Sequence, residues 1–336
     1  MTQLGKTGPE VFPIALGCMG MSPGVYGAAP DEKDGIATIQ AAIERGVNLI
    51  DTGDFYSMGH NEMLVQKALV GRRDKVQLSV KFGGMRDPAG AFVGIDTRPA
   101  AIQNFLAYSL RRLGTDHVDI YRPARLDPNV PIEDTVGAIA DLVKKGYVRH
   151  IGLSEVGAET IRRAAKTHPI VDLQIEYALV SRGPEAKIFP VLKELGISAT
   201  LYGVLSRGLL SGSKPTGAGD MRAHLPRFSA DHQGRNGAVV EALRKVAERR
   251  GQTPAQLCIA WALAKEPGFV PTIGVRTPAQ LGGVLGALDK PFSASEMAEL
   301  EQLVPRDAIA GDRYPAPMMA HLDSEIDSRP HGSARG

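Results

Sequence analysis

Apolar positions along the chain switch repeatedly between short continuous runs and a spacing of three and four. The runs at 47–50, 76–82, 117–123, 148–155, 170–177, 197–203 and 269–275 have the length of strands. Stretches of helical spacing lie between them. The clearest is 31–45, with Ile36, Ile39, Ala42 and Ile43 on one face and Gly46 at its end. Others follow at 98–113, 132–145, 159–167, 185–195, 237–250 and 254–265, and Gly114, Gly146 and Gly196 stop three of them. A hairpin within 2–16, marked by Gly5, Gly8 and Pro13, leads to a first strand near 14–17. The stretch 46–69 joins a strand to a helix carrying Met63, Leu64, Ala68 and Leu69, with a polar bend between them.

Strand and helix therefore alternate through the chain in units of roughly thirty residues, which argues for a parallel sheet. Eight such units predict a single closed (β/α)8 TIM barrel with an N-terminal β-hairpin. An open doubly wound sheet is disfavoured because no GxGxxG follows the first strand. Segments 83–97 and 206–236 fall outside the alternation and follow strands, so they are expected as long loops on the C-terminal face. Residues 1–314 are expected to form the barrel, with 315–336 as a Pro-, His- and Ser-rich tail, mobile at its end.

Composition changes this picture little. The 336 residues exceed one ordinary domain, but barrels of this type routinely do so, and 43% hydrophobic content supplies a large core. No apolar run is long enough to span a membrane, and the first residues lack the pattern of a secretory signal. Cys18 and Cys258 are too few for a disulfide framework or a metal cluster, which suits a cytoplasmic setting. A net charge of +2 without a basic block argues against nucleic acid as a partner. Nothing in the sequence sets the oligomeric state.

Polar residues recur at the C-terminal ends of the strands, where a barrel gathers them around one pocket. They are Asp51 and Tyr56 after the second strand, Lys81 on the third, Ser154 on the fifth, Gln174 on the sixth, Tyr202 on the seventh and Arg276 after the eighth. Asp51 and Tyr56 alone would be equally at home as a turn residue and a packing residue. Lys81 is more pointed, because it sits in a run apolar enough to be buried and a buried ammonium requires a partner. A free tyrosine has a pKa of about 10, and a neighbouring cation favours its ionised form. A Tyr56–Lys81–Asp51 set would then act as a general acid, and a reduction at this site would need a cofactor for the hydride.

The motifs LGCMGM (16–21), DTGDFY (51–56) with NEMLVQKAL after it, LSVKF (78–82), VRHIGLSE (148–155), LYGVLSRGLLSG (201–212) and IGVR (273–276) give the chain its resemblance to the aldo-keto reductase superfamily, from Leu4 to about Tyr314. The resemblance implies NADPH lying across the barrel mouth and hydride transfer to a small-molecule carbonyl substrate. Tyr56 would be the proton donor, Lys81 would tune it and Asp51 would pair with Lys81. Ser154 and Gln174 would hold the carboxamide, and Tyr202 would stack on the nicotinamide. Gly17, Cys18, Met19 and Asp51 would also border the cofactor. Gly203, Leu205, Ser206, Arg207 and Gly208 would line the pyrophosphate, with Gly274, Arg276 and Gln280 near the adenosine phosphate.

Three departures stand against that pattern. Where the superfamily has His in YxxHRxDP, this chain reads YRPARLDP, with Ala124 at the histidine position. The substrate pocket is therefore expected to comprise Tyr56, Ala124 and Arg122. Arg122 would reach for the carbonyl oxygen, and the small alanine would suit a bulky cyclic ketone. Glu155 replaces the usual Asn after Ser154, and Gly282, Gly283 and Val284 replace an acidic pair and an Asn. The main reading is an NADPH-dependent reductase of aldehydes or ketones. The alternative is a catalytically weak, NADPH-binding regulatory or sensor subunit on the same fold.

Overall fold

A computed structural model describes residues 1–28, 31–217 and 219–326. Eight parallel strands close into a barrel in chain order: β1 (Ala15–Gly17), β2 (Leu49–Gly53), β3 (Gln77–Phe82), β4 (Val118–Pro123), β5 (Val148–Ser154), β6 (Ile170–Glu176), β7 (Ser198–Tyr202) and β8 (Val270–Gly274). Most of their residues are buried on both faces, which is why they read as continuous apolar runs. The N-terminal hairpin pairs Thr2–Gln3 with Glu10–Val11 and plugs the bottom of the barrel. Its Leu4 and Val11 pack against Ala15, Leu49, Val171 and Val270.

The helices wrap the strands as α1 (Glu32–Glu44), α2 (His60–Leu69), α3 (Pro99–Leu113), α4 (Ile132–Lys144), α5 (Ala158–Thr167), α6 (Ile188–Leu195), α7 (Gln233–Arg249), α8 (Pro254–Lys265) and α9 (Pro278–Leu285). Their ends follow local chemistry. The Asp31 carboxylate accepts the Lys33 N–H at the start of α1, and Thr253 with Gln256 forms a capping box on α8. Gly114 and Gly196 end α3 and α6 in the left-handed conformation.

Two local expectations need correction. In α2, Met63 is 45% exposed, and the residues buried beside Leu64 include Asn61 and Glu62. Polar partners hold that face inward: Asn61 donates to the Cys18 carbonyl at 2.8 Å, and Glu62 pairs with Arg112. Segment 83–97 is not an irregular loop, because Gly84–Arg86 and Phe92–Ile95 pair as an antiparallel hairpin around a turn stabilised by Asp87.

Beyond α9 the chain returns to the mouth. Residues 315–326 contain two short helices and lie against the barrel, with Leu322 and Ser324 buried. The rest of the expected tail, including its mobile end, lies outside the described residues.

Candidate active site

The C-terminal ends of β2, β3 and β6 bring three side chains together inside the barrel. Strand register sets Gly53 beside Lys81, Asp51 beside Ser79, and Gln174 beside Ser154. Lys81 forms an ion pair with Asp51 and donates to the Gln174 Oε1 at 2.8 Å. The other end of the Gln174 amide donates to Asp51 Oδ2 at 2.9 Å, and so does the Ser79 hydroxyl. Burial lowers the Lys81 pKa, and the Asp51 carboxylate works against that effect. Gln174, expected at the carboxamide, is thus committed to the Lys81–Asp51 pair.

Tyr56 leaves β2 on a turn in which Ser57, Met58 and Gly59 all have positive φ. The Lys81 amine lies 5.2 Å from the centre of its ring, and the phenol makes no hydrogen bond to another described residue. Lys81 does not bring this phenol below its ordinary value. Burial pushes its pKa up and Asp51 adds to the rise, while the cation that opposes them is Arg125. Tyr56 accordingly holds its proton firmly at neutral pH.

The loop after β7 is also built from left-handed backbone. Among the described residues, non-glycine positive φ occurs at Ser57, Met58, Glu155, Ser206 and Arg207. Every one of them follows the C-terminal end of a barrel strand, where strain marks a working surface. Ser206, Arg207 and Gly208 form a left-handed run after β7. The Arg207 guanidinium bonds the hydroxyls of Tyr26 and Tyr314, and its Nε is buried without a partner. Such an orphaned donor beside strained backbone suits a phosphate anion. Arg276 stands just before α9; its side chain donates to the carbonyls of Tyr26 and Ala28, and its N–H donates to Gln280 Oε1 at 2.8 Å.

The aldo/keto reductase family pattern matches residues 13–305. This chain belongs to that family. A probable aldo-keto reductase 1 of Glycine max is 38% identical over 322 residues, covering 93% of this chain and 91% of that protein. Among solved structures, the holo form of a Bacillus halodurans aldo-keto reductase is 28% identical with a TM-score of 0.75, covering 90% of this chain and 96% of that one. An aldo/keto reductase of Klebsiella pneumoniae in complex with NADP and acetate is 27% identical with a TM-score of 0.72, covering 94% and 98%. The glycerol dehydrogenase of Gluconobacter oxydans, at 24% identity and a TM-score of 0.81 over 100% of this chain and 98% of that one, shares the fold. The chain is therefore an oxidoreductase on the aldo/keto reductase barrel, a family whose members generally reduce carbonyl compounds with NAD(P)H. Among the described residues no helix is long and apolar enough to cross a membrane.

The departures of this reductase take on physical meaning in the structure. Arg122 is the register partner of Lys81 on the next strand and is wholly buried. It pairs with Asp172 at 2.9 Å and bonds Ser79 and Thr200, so it does not reach the substrate pocket. Ala124 is only 3% exposed, and its N–H is bonded to the Phe82 carbonyl. Cys18 is likewise enclosed, with its thiol pushed up by burial, and its backbone N–H pins β2 through the Asp51 carbonyl. Gly17, Met19, Gly203, Leu205 and Gly274 lie half-buried or exposed at the rim.

Glu155 is the departure with the widest reach. Its buried carboxylate accepts from the Tyr202 hydroxyl, the Glu176 N–H, the Ser324 hydroxyl and both terminal nitrogens of Arg313. Burial alone would raise its pKa, but Arg313 overrides it and the carboxyl rests at about 2. The C-terminal segment is thereby bolted to the cofactor face of the barrel. Sequence reading missed Arg313, Tyr314 and Ser324, which lie near the chain's end without any motif. It also missed Arg125, for which the signal was a second cation immediately after Ala124.

Proposed function

We propose that this protein reduces an aldehyde or ketone with NADPH, with Tyr56 delivering the proton. The observation that carries the reading is the Lys81 ammonium, held by Asp51 and Gln174, beside a Tyr56 phenol without a hydrogen bond to another described residue. Bound at the mouth, the reduced nicotinamide would supply the hydride to the carbonyl carbon. Tyr56, kept protonated by burial, gives its proton to the carbonyl oxygen as negative charge develops there. Lys81 and Asp51 fix the electrostatic field around that phenol.

The residues at the rim fit the proposed cofactor. The orphaned Arg207 Nε suits the pyrophosphate, Tyr202 offers a ring for the nicotinamide, and Ser154 stands at the carboxamide. Arg276, with its permanent planar charge at the start of α9, favours the extra phosphate that distinguishes NADPH from NADH. A catalytically weak sensor remains the second reading, favoured by Ala124 at the histidine position. NADPH consumption against a panel of aldehydes and ketones decides between them. Tyr56→Phe should abolish turnover while leaving NADPH affinity nearly intact, and full activity in that variant would remove Tyr56 as the acid.

A further inference from the structure

Cations at the barrel mouth mostly face acids. Lys81 has Asp51, Arg313 has Glu155, and Arg227 lies 3.5 Å from Glu176. Arg207 and Arg125 have no carboxylate within ion-pair distance among the described residues. Arg207 lies on the loop assigned to the pyrophosphate, whose charge would answer it. Arg125 is not on that loop, although both arginines feel Tyr202 and Tyr314.

Arg125 follows β4, directly after Ala124, whose N–H is tied to β3 at the Phe82 carbonyl next to Lys81. One terminal nitrogen of Arg125 donates to the Ala124 carbonyl at 2.6 Å, and no other hydrogen bond engages its guanidinium among the described residues. The side chain is half-buried, yet none of its nitrogens is a sealed, unpartnered atom. Its remaining donors therefore look into accessible space. Its charge reaches both Tyr56 and Lys81, which places it within electrostatic range of the proton donor. Tyr202, Tyr314 and the more distant Glu155 favour its charge, yet no carboxylate among the described residues touches its free donors, which leaves them open to an anionic ligand.

We propose that Arg125 is a specificity residue of this reductase and that its substrates carry a carboxylate next to the carbonyl, as in a 2-oxo acid. The inference rests on the reductase reading above. With the carbonyl oxygen at Tyr56, an adjacent carboxylate would be one bond removed and could meet the planar guanidinium fork. The redox step is unchanged. The carbon gains the hydride, the oxygen gains the Tyr56 proton, and the carboxylate passes through unaltered to give a 2-hydroxy acid. The charge on Arg125 thus occupies the neighbourhood where the superfamily places a histidine donor.

The test uses matched probes: phenylglyoxylate, its neutral methyl ester, and 4-nitrobenzaldehyde as a carboxylate-free reference. A charge-assisted bond to the carboxylate should be worth roughly 10- to 100-fold in kcat/KM. The unmodified enzyme should favour the acid over the ester, and Arg125→Met should lower the acid-to-ester ratio of kcat/KM by that factor, since any effect of the lost charge on Tyr56 falls on both substrates alike. Arg125→Lys should recover part of the loss, because the charge returns without the fork. Calorimetric titration of the NADP⁺-loaded protein with benzoate and benzamide adds a readout independent of turnover, with benzoate affinity lost in Arg125→Met. No preference for the acid, or equal losses on acid and ester, would overturn the role of Arg125. In that case turnover of 4-nitrobenzaldehyde would leave the reductase reading standing, and its absence across the carbonyl panel would remove both.

Discussion

Arg313→Met is the sharpest probe of how the C-terminal segment is held. The substitution keeps an apolar stem but removes the guanidinium that bonds the wholly buried Glu155 through two nitrogens. Glu155 would retain the Tyr202 hydroxyl, the Glu176 N–H and the Ser324 hydroxyl. Its carboxyl rests at about 2 in place of an ordinary 4.5. At about 1.4 kcal/mol per pH unit, that depression corresponds to roughly 3 kcal/mol of stability. A depressed carboxyl contributes fully above its unfolded value and loses the contribution as pH falls towards its folded one. The deficit of the variant should therefore be complete at pH 7 and narrow below about pH 4.5. Urea denaturation followed by circular dichroism at pH 7 and pH 4 would measure it. Hydrogen exchange over 313–326 would report whether the segment lifts from the mouth. Glu155→Gln combined with Arg313→Met should recover part of the loss, because no buried charge is then left alone. A variant as stable as the parent at pH 7, with the segment equally protected, would refute the reasoning.

Further outcomes follow from other buried groups. Burial and the neighbouring Glu62 push the Asp54 carboxyl up to about 7, and its Oδ1 has no partner. A raised carboxyl loses its favourable contribution as pH climbs from the ordinary 3.8 to that value, so Asp54→Asn should raise the melting temperature more at pH 8 than at pH 5 and little below pH 4; equal effects at pH 5 and pH 8 would contradict this. A Cβ at Gly152 would meet Asp172 Oδ1 at 2.7 Å and the Arg122 Cζ at 3.1 Å, so Gly152→Ala should destabilise the barrel by about 1–3 kcal/mol in a urea titration. Arg276→Ala should bring NADPH affinity down towards that for NADH in fluorescence titrations, and equal affinities in the unmodified protein would remove Arg276 as the discriminating residue.

The barrel was legible because its strands are buried on two faces and its helices on one, so their periods differ along the sequence. Lys81 and Asp51 were legible for a related reason: an ionisable residue in an apolar run must find a partner, and adjacent strands supply it. Arg122 obeyed the same logic, but its partner is the buried Asp172 and not a substrate oxygen. Alternation tells which face a residue takes, and the depth at which its guanidinium finds Asp172 depends on β6, far away in sequence. The hairpin at 84–95 escaped because its short strands are broken by Gly and Pro and have no alternating core face. Glu155 was visible as a departure, while its partners were not, since no local pattern links it to Arg313 and Ser324.

The Glu155 cluster also has a consequence for how the polypeptide comes off the ribosome. Its closing bonds join residues separated by 158 and 169 positions. During synthesis the strands emerge in order and the early units can begin to pack, but the carboxylate after β5 awaits Arg313 and Ser324, made long after it. Until they arrive, burying Glu155 is unfavourable and that side of the mouth remains hydrated. Completion of this face is thus tied to synthesis of residues 313 to 324. A nascent product stopped before Arg313 would carry Tyr56, Lys81 and Asp51, yet lack the last contacts that dry and close the surface around them.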